Sequence, residues 1–288
     1  MIQSKSEKVF AAANYILLFL LSCFMLLPFI HILAKSFSSE VYVLSKEVTF
    51  WPKGFILGAY EYVLNNKQFL YSFSNSVIVT VGGTAISMFV TIITAYPLAK
   101  QDFPSRRYIM FLYVVTMFFS GGIVPTYLVI KELGLINTLW SLMLPVAVVP
   151  FNLILLKNFF ANIPSSLEES AKIDGASNLR ILFSIYVPLS KAAIATVSMF
   201  YTVSYWNNFF NALMYISERR LIPLQVYLME IIMDQKNISL ANVESLTSTA
   251  PESVRAATII AAIVPILLVY PFVQKYFVQG IMLGAVKG

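Results

Sequence analysis

Six long stretches of this chain, roughly residues 11–34, 75–99, 109–130, 139–156, 192–214 and 256–274, contain no Asp, Glu, Lys or Arg. A helix needs about 20 apolar residues to cross the hydrocarbon core of a bilayer, and each stretch is of that order. Inside a membrane every backbone N–H and C=O must be satisfied by the protein, so the spanning element is a helix or a closed barrel. Barrel strands would read as alternating segments of about 10 residues, which these runs are not. The expected fold is therefore an all-α membrane protein with six transmembrane helices, forming a single transmembrane domain over residues 1–288. Composition agrees: 12% of the residues are charged and mean hydropathy is +0.76, against roughly 25% charged residues in soluble domains. Pro28, Pro97, Pro125, Pro145, Pro265 and Pro271 lie inside the runs. Neighbouring helices can satisfy the backbone groups that such prolines free.

Lys5 and Lys8 precede the first run, as in a signal peptide. The run is too long for a signal h-region and lacks a small-x-small cleavage site, so it is expected to be retained. Orientation follows from the basic residues. An inner N-terminus puts Lys5, Lys8, Lys100, Arg106, Arg107, Lys157, Lys172, Arg180, Lys191, Lys275 and Lys287 on the cytoplasmic side. The longer outer segments hold the other nine. The bias favours both termini inside, in the cytoplasmic membrane.

The net charge of +6 does not point to nucleic acid, because the basic residues sit at the ends of apolar runs rather than on one face. The one cysteine, Cys23, and the one histidine, His31, lie in the first run. They are expected to be a small hydrophobe and an interfacial polar residue, and no metal site is expected. There is no phosphate-cradling G-x-x-x-x-G-K-[ST], no H-E-x-x-H and no G-x-S-x-G. No enzyme activity, no catalytic residue and no bound cofactor are expected. The runs also lack the ionisable groups that ion-coupled carriers usually keep at membrane depth. Energy for uphill transport would more plausibly enter from outside the membrane.

The loop 157–191 is where it could enter. Ser165 and Ser166 are candidate N-caps, and Glu168 and Glu169 each follow at capping-box spacing. Gly175 suits the left-handed position just past a helix end. A helix of about two turns is expected, then a second from near Asn178 that stops before Pro188. Such a short, bounded helix suits docking into a groove on a soluble partner, or it simply links two spans.

The run Glu169-Ser170-Ala171 with Asp174-Gly175-Ala176, followed by Phe183, Ile185, Pro188 and Leu189, resembles the EAA loop of permease subunits of bacterial ATP-binding-cassette (ABC) importers. Ser170 stands where that motif has alanine. The Asp-Gly-Ala version is similar to that of the carbohydrate-uptake branch. Asn75-Ser76, Arg106-Arg107, Trp206-Asn207 and the ending Gly284-Ala285-Val286-Lys287-Gly288 also resemble this family, the last its maltose-type second permease. The segment before the final run is similar to the branch linked to complex or plant-derived polysaccharide fragments.

The resemblance implies a MetI-like, type I importer fold. It also implies import of oligosaccharides by alternating access. The implied partners are a second homologous permease, a dimer of ATPase subunits that use ATP and Mg²⁺, an extracytoplasmic solute-binding protein, and the sugar. Glu168, Glu169, Ser170, Ala171, Asp174, Gly175, Ala176 and the tail residue Lys287 would couple to the ATPase. Ser204, Tyr205, Trp206, Asn207 and Asn208 form a polar and aromatic cluster in an apolar run. They could line the sugar pathway, since aromatic faces and amides suit sugars, or could pack helices together. The alternatives are an ion-coupled carrier, an ABC permease for a non-sugar solute, or a scaffold with no transport role.

Overall fold

A computed structural model of the chain describes residues 5–238 and 252–285. They are mostly helical, and among them there is no strand, only one isolated bridge between Ser38 and Phe55. The long helices are α1 (Lys5–Ser36), α2 (Lys67–Ala99), α3 (Arg106–Phe118), α4 (Ile123–Glu132), α5 (Pro150–Ala161), α6 (Ser165–Ile173), α7 (Lys191–Trp206), α8 (Leu224–Ile238) and α9 (Glu252–Ala285). Among the described residues two helices, α1 from Lys8 and α2, are long and apolar enough to cross a membrane unaided. Pro28 and Pro97 lie inside these continuous helices.

Other apolar runs are broken where uninterrupted helices were expected. The run 109–130 becomes α3 and α4, which meet at 118°. Gly121 and Gly122 sit at the break, and Gly122 has φ 86°, a conformation that costs little only without a Cβ. The run 139–156 is a single turn, Trp140–Met143, followed by α5, which opens with Pro150 at its first position. Proline there lacks an N–H that would be unpaired anyway. The run 192–214 ends its helix at Trp206 and resumes at Phe210–Tyr215. Asn207 and Asn208 lie in the gap, and the Asn208 amide reaches the carbonyl of Leu142 at 3.4 Å. Asparagine side chains compete for backbone groups in this way, which is why they break helices. The helix pair Asn178–Leu189 and α7 forms a second sharp bend, of 86°.

The chain divides into two compact units. The first comprises Met1–Lys67 and Leu228–Val264. In it, the end of α1 carries a loop whose backbone pairs Ser39 N–H with Gly54 C=O and Ile56 N–H with Phe37 C=O, both at 3.0 Å. Phe37 stacks on Phe55 and packs against Tyr60, whose hydroxyl lies 2.8 Å from that of Ser36. His31 meets the carbonyl of Thr49 at 2.7 Å. The start of α9 is fixed by two ionic contacts. The Glu40 carboxylate accepts from the backbone N–H of Glu252 and Ser253 and from the Ser253 hydroxyl, and Lys35 pairs with Glu252 at 3.1 Å. A carboxylate on the free N–H groups of a first turn satisfies them and complements the helix dipole. Along α1, by contrast, none of the most apolar stretch is buried by the described residues.

The second unit comprises Gln68–Tyr227 and Pro265–Gly288. Its centre is the pairing of α2 with α7. Ser87 meets the Tyr205 hydroxyl at 2.8 Å, Thr91 meets Tyr201 at 2.9 Å, and Thr84 meets Thr202 at 3.3 Å. Ser87 and Thr91 on α2, like Tyr201 and Tyr205 on α7, are four residues apart, and Thr84 and Thr202 are three from Ser87 and Tyr205, so the hydroxyls share a face. Tyr201 also accepts the N–H of Val149, just before α5, and Tyr205 donates to the carbonyl of Met143. Polar side chains thus tie helices together in an apolar setting, as membrane helices use them. A Cβ on Gly83 would stand 2.7 Å from the Tyr205 ring, so glycine is what admits the tyrosine. In the third turn of α2, the Asn75 amide donates to the Arg220 carbonyl at 2.7 Å, and the Ser76 hydroxyl accepts the N–H of Leu224 at 2.8 Å. Together they pin the segment that leads into α8.

Candidate functional site

Helix α6 runs Ser165–Ile173 with Pro164 as its N-cap, and no side chain caps it. The expected capping box therefore does not form. Ser165 and Ser166 are already inside the helix, and Glu168 is drawn to stronger partners. Its Oε1 lies 2.8 Å from both the Lys100 and Lys172 ammonium groups, and its Oε2 accepts the Tyr186 hydroxyl at 2.8 Å. Two ammonium ions and a phenol outcompete one backbone N–H, since they give the carboxylate three partners, two of them of opposite charge. Glu168 remains in the first turn, where a negative charge suits the dipole.

The C-terminal end follows expectation closely. Gly175 has φ +75°. Its N–H bonds the carbonyl of Lys172 at 3.0 Å, and the N–H of Ala176 bonds that of Ala171 at 2.9 Å. This crossed pair is a Schellman motif, and the left-handed residue it requires is usually glycine. A Cβ at Gly175 would meet nothing within 4 Å, so backbone angle rather than space demands glycine. The second helix starts at Asn178 as expected, with the Ser177 hydroxyl capping the N–H of Arg180. It does not stop before Pro188. A wider π turn at Leu182–Tyr186 carries the chain through to Leu189. The wide turn accommodates a residue that can give no N–H to the preceding turn.

Glu168 makes the site a junction. Lys100 follows the last residue of α2, and it also donates to the Asn178 side chain at 3.2 Å and lies 4.2 Å over the Tyr96 ring. Tyr186 is wedged edge-on between Tyr96 and Phe160. One carboxylate thus joins α6, the end of α2 and the π turn. Burial alone would raise the Glu168 pKa, but the hydrogen bonds from Lys100, Lys172 and Tyr186 outweigh it and hold the group at about 2. Burial and then the hydrogen bond to Glu168 push the Tyr186 phenol up. Partial burial pulls Lys100 down, but its contacts with Glu168 and Tyr96 more than offset this and leave it raised. A cleft of about 500 Å³ opens beside the junction, lined among others by Asp102, Arg106 and Glu169.

The other expected coupling residues face outward. Glu169, Ser170, Asp174 and Gly175 are exposed. Ala171 and Ala176 are half-buried and line a second cleft, of about 230 Å³, with Arg180 and Ile185. Lys287 lies outside the described residues. Ile173, at the tip of α6, is 87% exposed, and Leu179 and Phe183 are exposed beyond it. The charged loop thus leaves three large apolar side chains exposed. Among the expected pathway residues, Tyr205 and Trp206 are buried within the second unit, where Tyr205 bonds Ser87 and Met143 and Trp206 meets Phe73 edge-on. Ser204, in the last turn of α7, and Asn207, just past its end, are exposed, and Asn208 is half-buried.

Sequence reasoning did not single out Lys100, Tyr186 or Tyr96. A lysine just past an apolar run reads as a membrane-end anchor, and no local pattern links it to a carboxylate 68 residues away. The hydroxyl pairs were more accessible: Ser87 with Thr91, and Tyr201 with Tyr205, each recur at one-turn spacing in an apolar run.

The profile of the family described as "Binding-protein-dependent transport system inner membrane component" matches residues 54–283. The polygalacturonan/rhamnogalacturonan transport system permease protein YtcP of Bacillus subtilis is 47% identical over 278 residues, 96% of each chain. The protein LplC of the same organism is 43% identical over 287 residues, 99% of this chain and 97% of LplC. A chain from the crystal structure of a bacterial ABC transporter involved in the import of the acidic polysaccharide alginate superposes with a TM-score of 0.88. It is 36% identical, and the match covers 96% of this chain and 99% of that one.

Proposed function

Because the chain belongs to the family of binding-protein-dependent transport system inner membrane components, we propose that it is a permease subunit that moves oligosaccharides or polysaccharide fragments inward through the cytoplasmic membrane. The named cargoes of its relatives support a sugar. In this reading the chain crosses the membrane six times with both termini inside; the bent pair α3 and α4 counts as one crossing, and α7 crosses while Asn178–Leu189 stays in the cytoplasmic loop. It works with a second homologous permease, a dimer of ATPase subunits and an extracytoplasmic binding protein that delivers the sugar. It binds no cofactor and catalyses no reaction, and ATP with Mg²⁺ is consumed by the ATPase partner.

The observation that carries the mechanism is α6. It is short, closed by Gly175, exposed along Glu169, Ser170 and Ile173, and fastened through Glu168 to α2. A docking element needs this combination, with a free face for the partner and a rigid root to receive its motion. Glu169, Ser170, Asp174 and Ile173 present the free face. Ala171, Gly175 and Ala176 let the partner approach closely. Glu168 belongs to the root rather than the face, and Lys287 would reach the ATPase from the tail. ATP binding draws the two coupling helices together, and the permease pair alternates between inward-open and outward-open states. On the pathway, Ser204, Asn207 and Asn208 offer hydrogen bonds to sugar hydroxyls, while Tyr205 and Trp206 hold the helix that carries them.

The test is uptake by proteoliposomes containing this chain with its companion permease, ATPase and binding protein. Uptake should require ATP, and Glu169→Lys should abolish it while the purified subunit keeps its helical circular-dichroism spectrum. Wild-type uptake by that variant would remove α6 from the mechanism. Sugar movement by this chain alone on an ion gradient would overturn the importer reading.

A further inference from the structure

The bend between α3 and α4 leaves backbone groups bare. The ladder of α3 ends with the Phe119 N–H on the Val115 carbonyl, and that of α4 starts with the Thr126 N–H on the Gly122 carbonyl. Between them, among the described residues, the N–H groups of residues 120–124 have no acceptor and the carbonyls of residues 116–121 have no donor. The break before α5 is treated differently. There Tyr205 donates to the Met143 carbonyl, Tyr201 accepts the Val149 N–H, and Asn208 reaches the Leu142 carbonyl. The chain thus supplies partners where a break faces its interior, and none where one faces out. Every residue from Thr116 to Thr126 is exposed.

In the topology proposed above this break lies inside the membrane. Arg106 marks the inner end of α3, and the 13 residues of that helix lift the break about 20 Å into a hydrocarbon layer about 30 Å thick. Bare peptide groups cannot face lipid at that depth. Non-helical backbone is kept there only where protein covers it or water reaches it. The surroundings favour water and a solute. A Cβ on Gly121 would meet nothing within 4 Å, and one on Gly122 only Pro125 at 3.9 Å. Phe118 and Phe119, 78% and 75% exposed, flank the glycines. Tyr127, one turn further on, stacks on Tyr215. The exposed amide of Asn207 therefore belongs to the run packed beside this one.

We infer that the bare backbone at Ser120-Gly121-Gly122 is a sugar-binding stretch of the import pathway. Its N–H groups and carbonyls exchange hydrogen bonds with the hydroxyls of the passing chain, and Phe118 and Phe119 offer ring faces to the sugar. A hydroxyl both donates and accepts, so a site that presents both kinds of backbone group matches it. Apolar sugar ring faces suit aromatic rings. The inference rests on the sugar-importer reading and adds a binding site to it. The site carries no charge, so it grips the hydroxyls common to all sugars. Gly121 is needed for passage rather than for folding. Its φ lies outside the left-handed region that Gly122 occupies, so a side chain there strains nothing and enters open space.

The experiment uses the assembled importer in proteoliposomes. In a Cys23→Ser background, Gly121→Cys is treated with a small, cationic, water-soluble methanethiosulfonate. The introduced thiol should react, and the reaction should block uptake. Uptake is measured with a galacturonate trimer and a neutral arabinose trimer. Gly121→Ala, Gly121→Val and Gly121→Leu should lower it stepwise, by at least about tenfold for leucine, the scale on which crowding a fitted site acts. The thermal midpoint of the purified subunit should not change along this series. A thiol that stays unreactive with and without ATP shows that protein or lipid covers the break, and overturns the inference while the importer reading stands. A reactive thiol with wild-type uptake by Gly121→Leu places the break in water but off the sugar's route, and also overturns it. So does a marked fall in the midpoint, which would show that position 121 packs inside the fold. A wild type that carries neither sugar overturns the importer reading itself, whatever the thiol does.

Discussion

Glu168 is the residue on which the site turns. Its folded pKa of about 2 lies below the ordinary 4.5, so its ionised form is favoured by folding. That contribution is complete above the unfolded pKa and is lost as pH falls from about 5 towards 2. A shift of this size corresponds to at most about 3 kcal/mol. The detergent-solubilised subunit should therefore lose thermal stability steeply below about pH 5. Glu168→Gln should flatten that dependence and lower stability at neutral pH by about 2–3 kcal/mol, because it leaves Lys100 without its ion pair in a half-enclosed setting. A melting series at several pH values checks both. If the variant keeps the wild-type pH slope, the junction is not what titrates.

At the scale of elements, two glycines set geometry for opposite reasons. Gly83 is needed for space, since a Cβ there would meet the Tyr205 ring at 2.7 Å. Gly83→Val should cost about 1–3 kcal/mol by overpacking and part the Ser87–Tyr205 bond. Gly175 is needed for its backbone angle, and Gly175→Ala should cost about 1 kcal/mol at the end of α6 with no steric clash. Amide exchange in α6 should rise in that variant, while exchange in α2 stays unchanged. The sequence signals for Gly175 and for the helix start at Asn178 were local, so both were legible. The runs 11–34 and 75–99 were legible as helices of membrane-crossing length, but the breaks in the others were not. Gly121-Gly122, Pro150 and Asn207-Asn208 each admit a bend, and only the packing around them decides whether it is used. The capping box failed for a similar reason, because Lys100 and Tyr186 are remote in sequence and claim the carboxylate.

For the whole molecule, the proposed mechanism makes the apolar tip of α6 the place where a partner docks. Ile173 is 87% exposed, and covering an isoleucine side chain is worth about 1.5–3 kcal/mol. Ile173→Asp should leave the isolated subunit's stability within about 0.5 kcal/mol and abolish co-purification of the ATPase. Intact co-purification would show that the docking surface lies elsewhere.

Helix α2 has 33 residues, which at 1.5 Å per residue makes a rod about 50 Å long. At one end Lys100 grips Glu168. More than two turns in from the other, Asn75 and Ser76 hold the segment from Arg220 to Leu224. If α6 is the coupling helix proposed above, the stretch between these clamps, about 37 Å long, would act as a pushrod. A stroke of an ångström applied to α6 would then either break ionic bonds at the near clamp or arrive, nearly undiminished, at the far one.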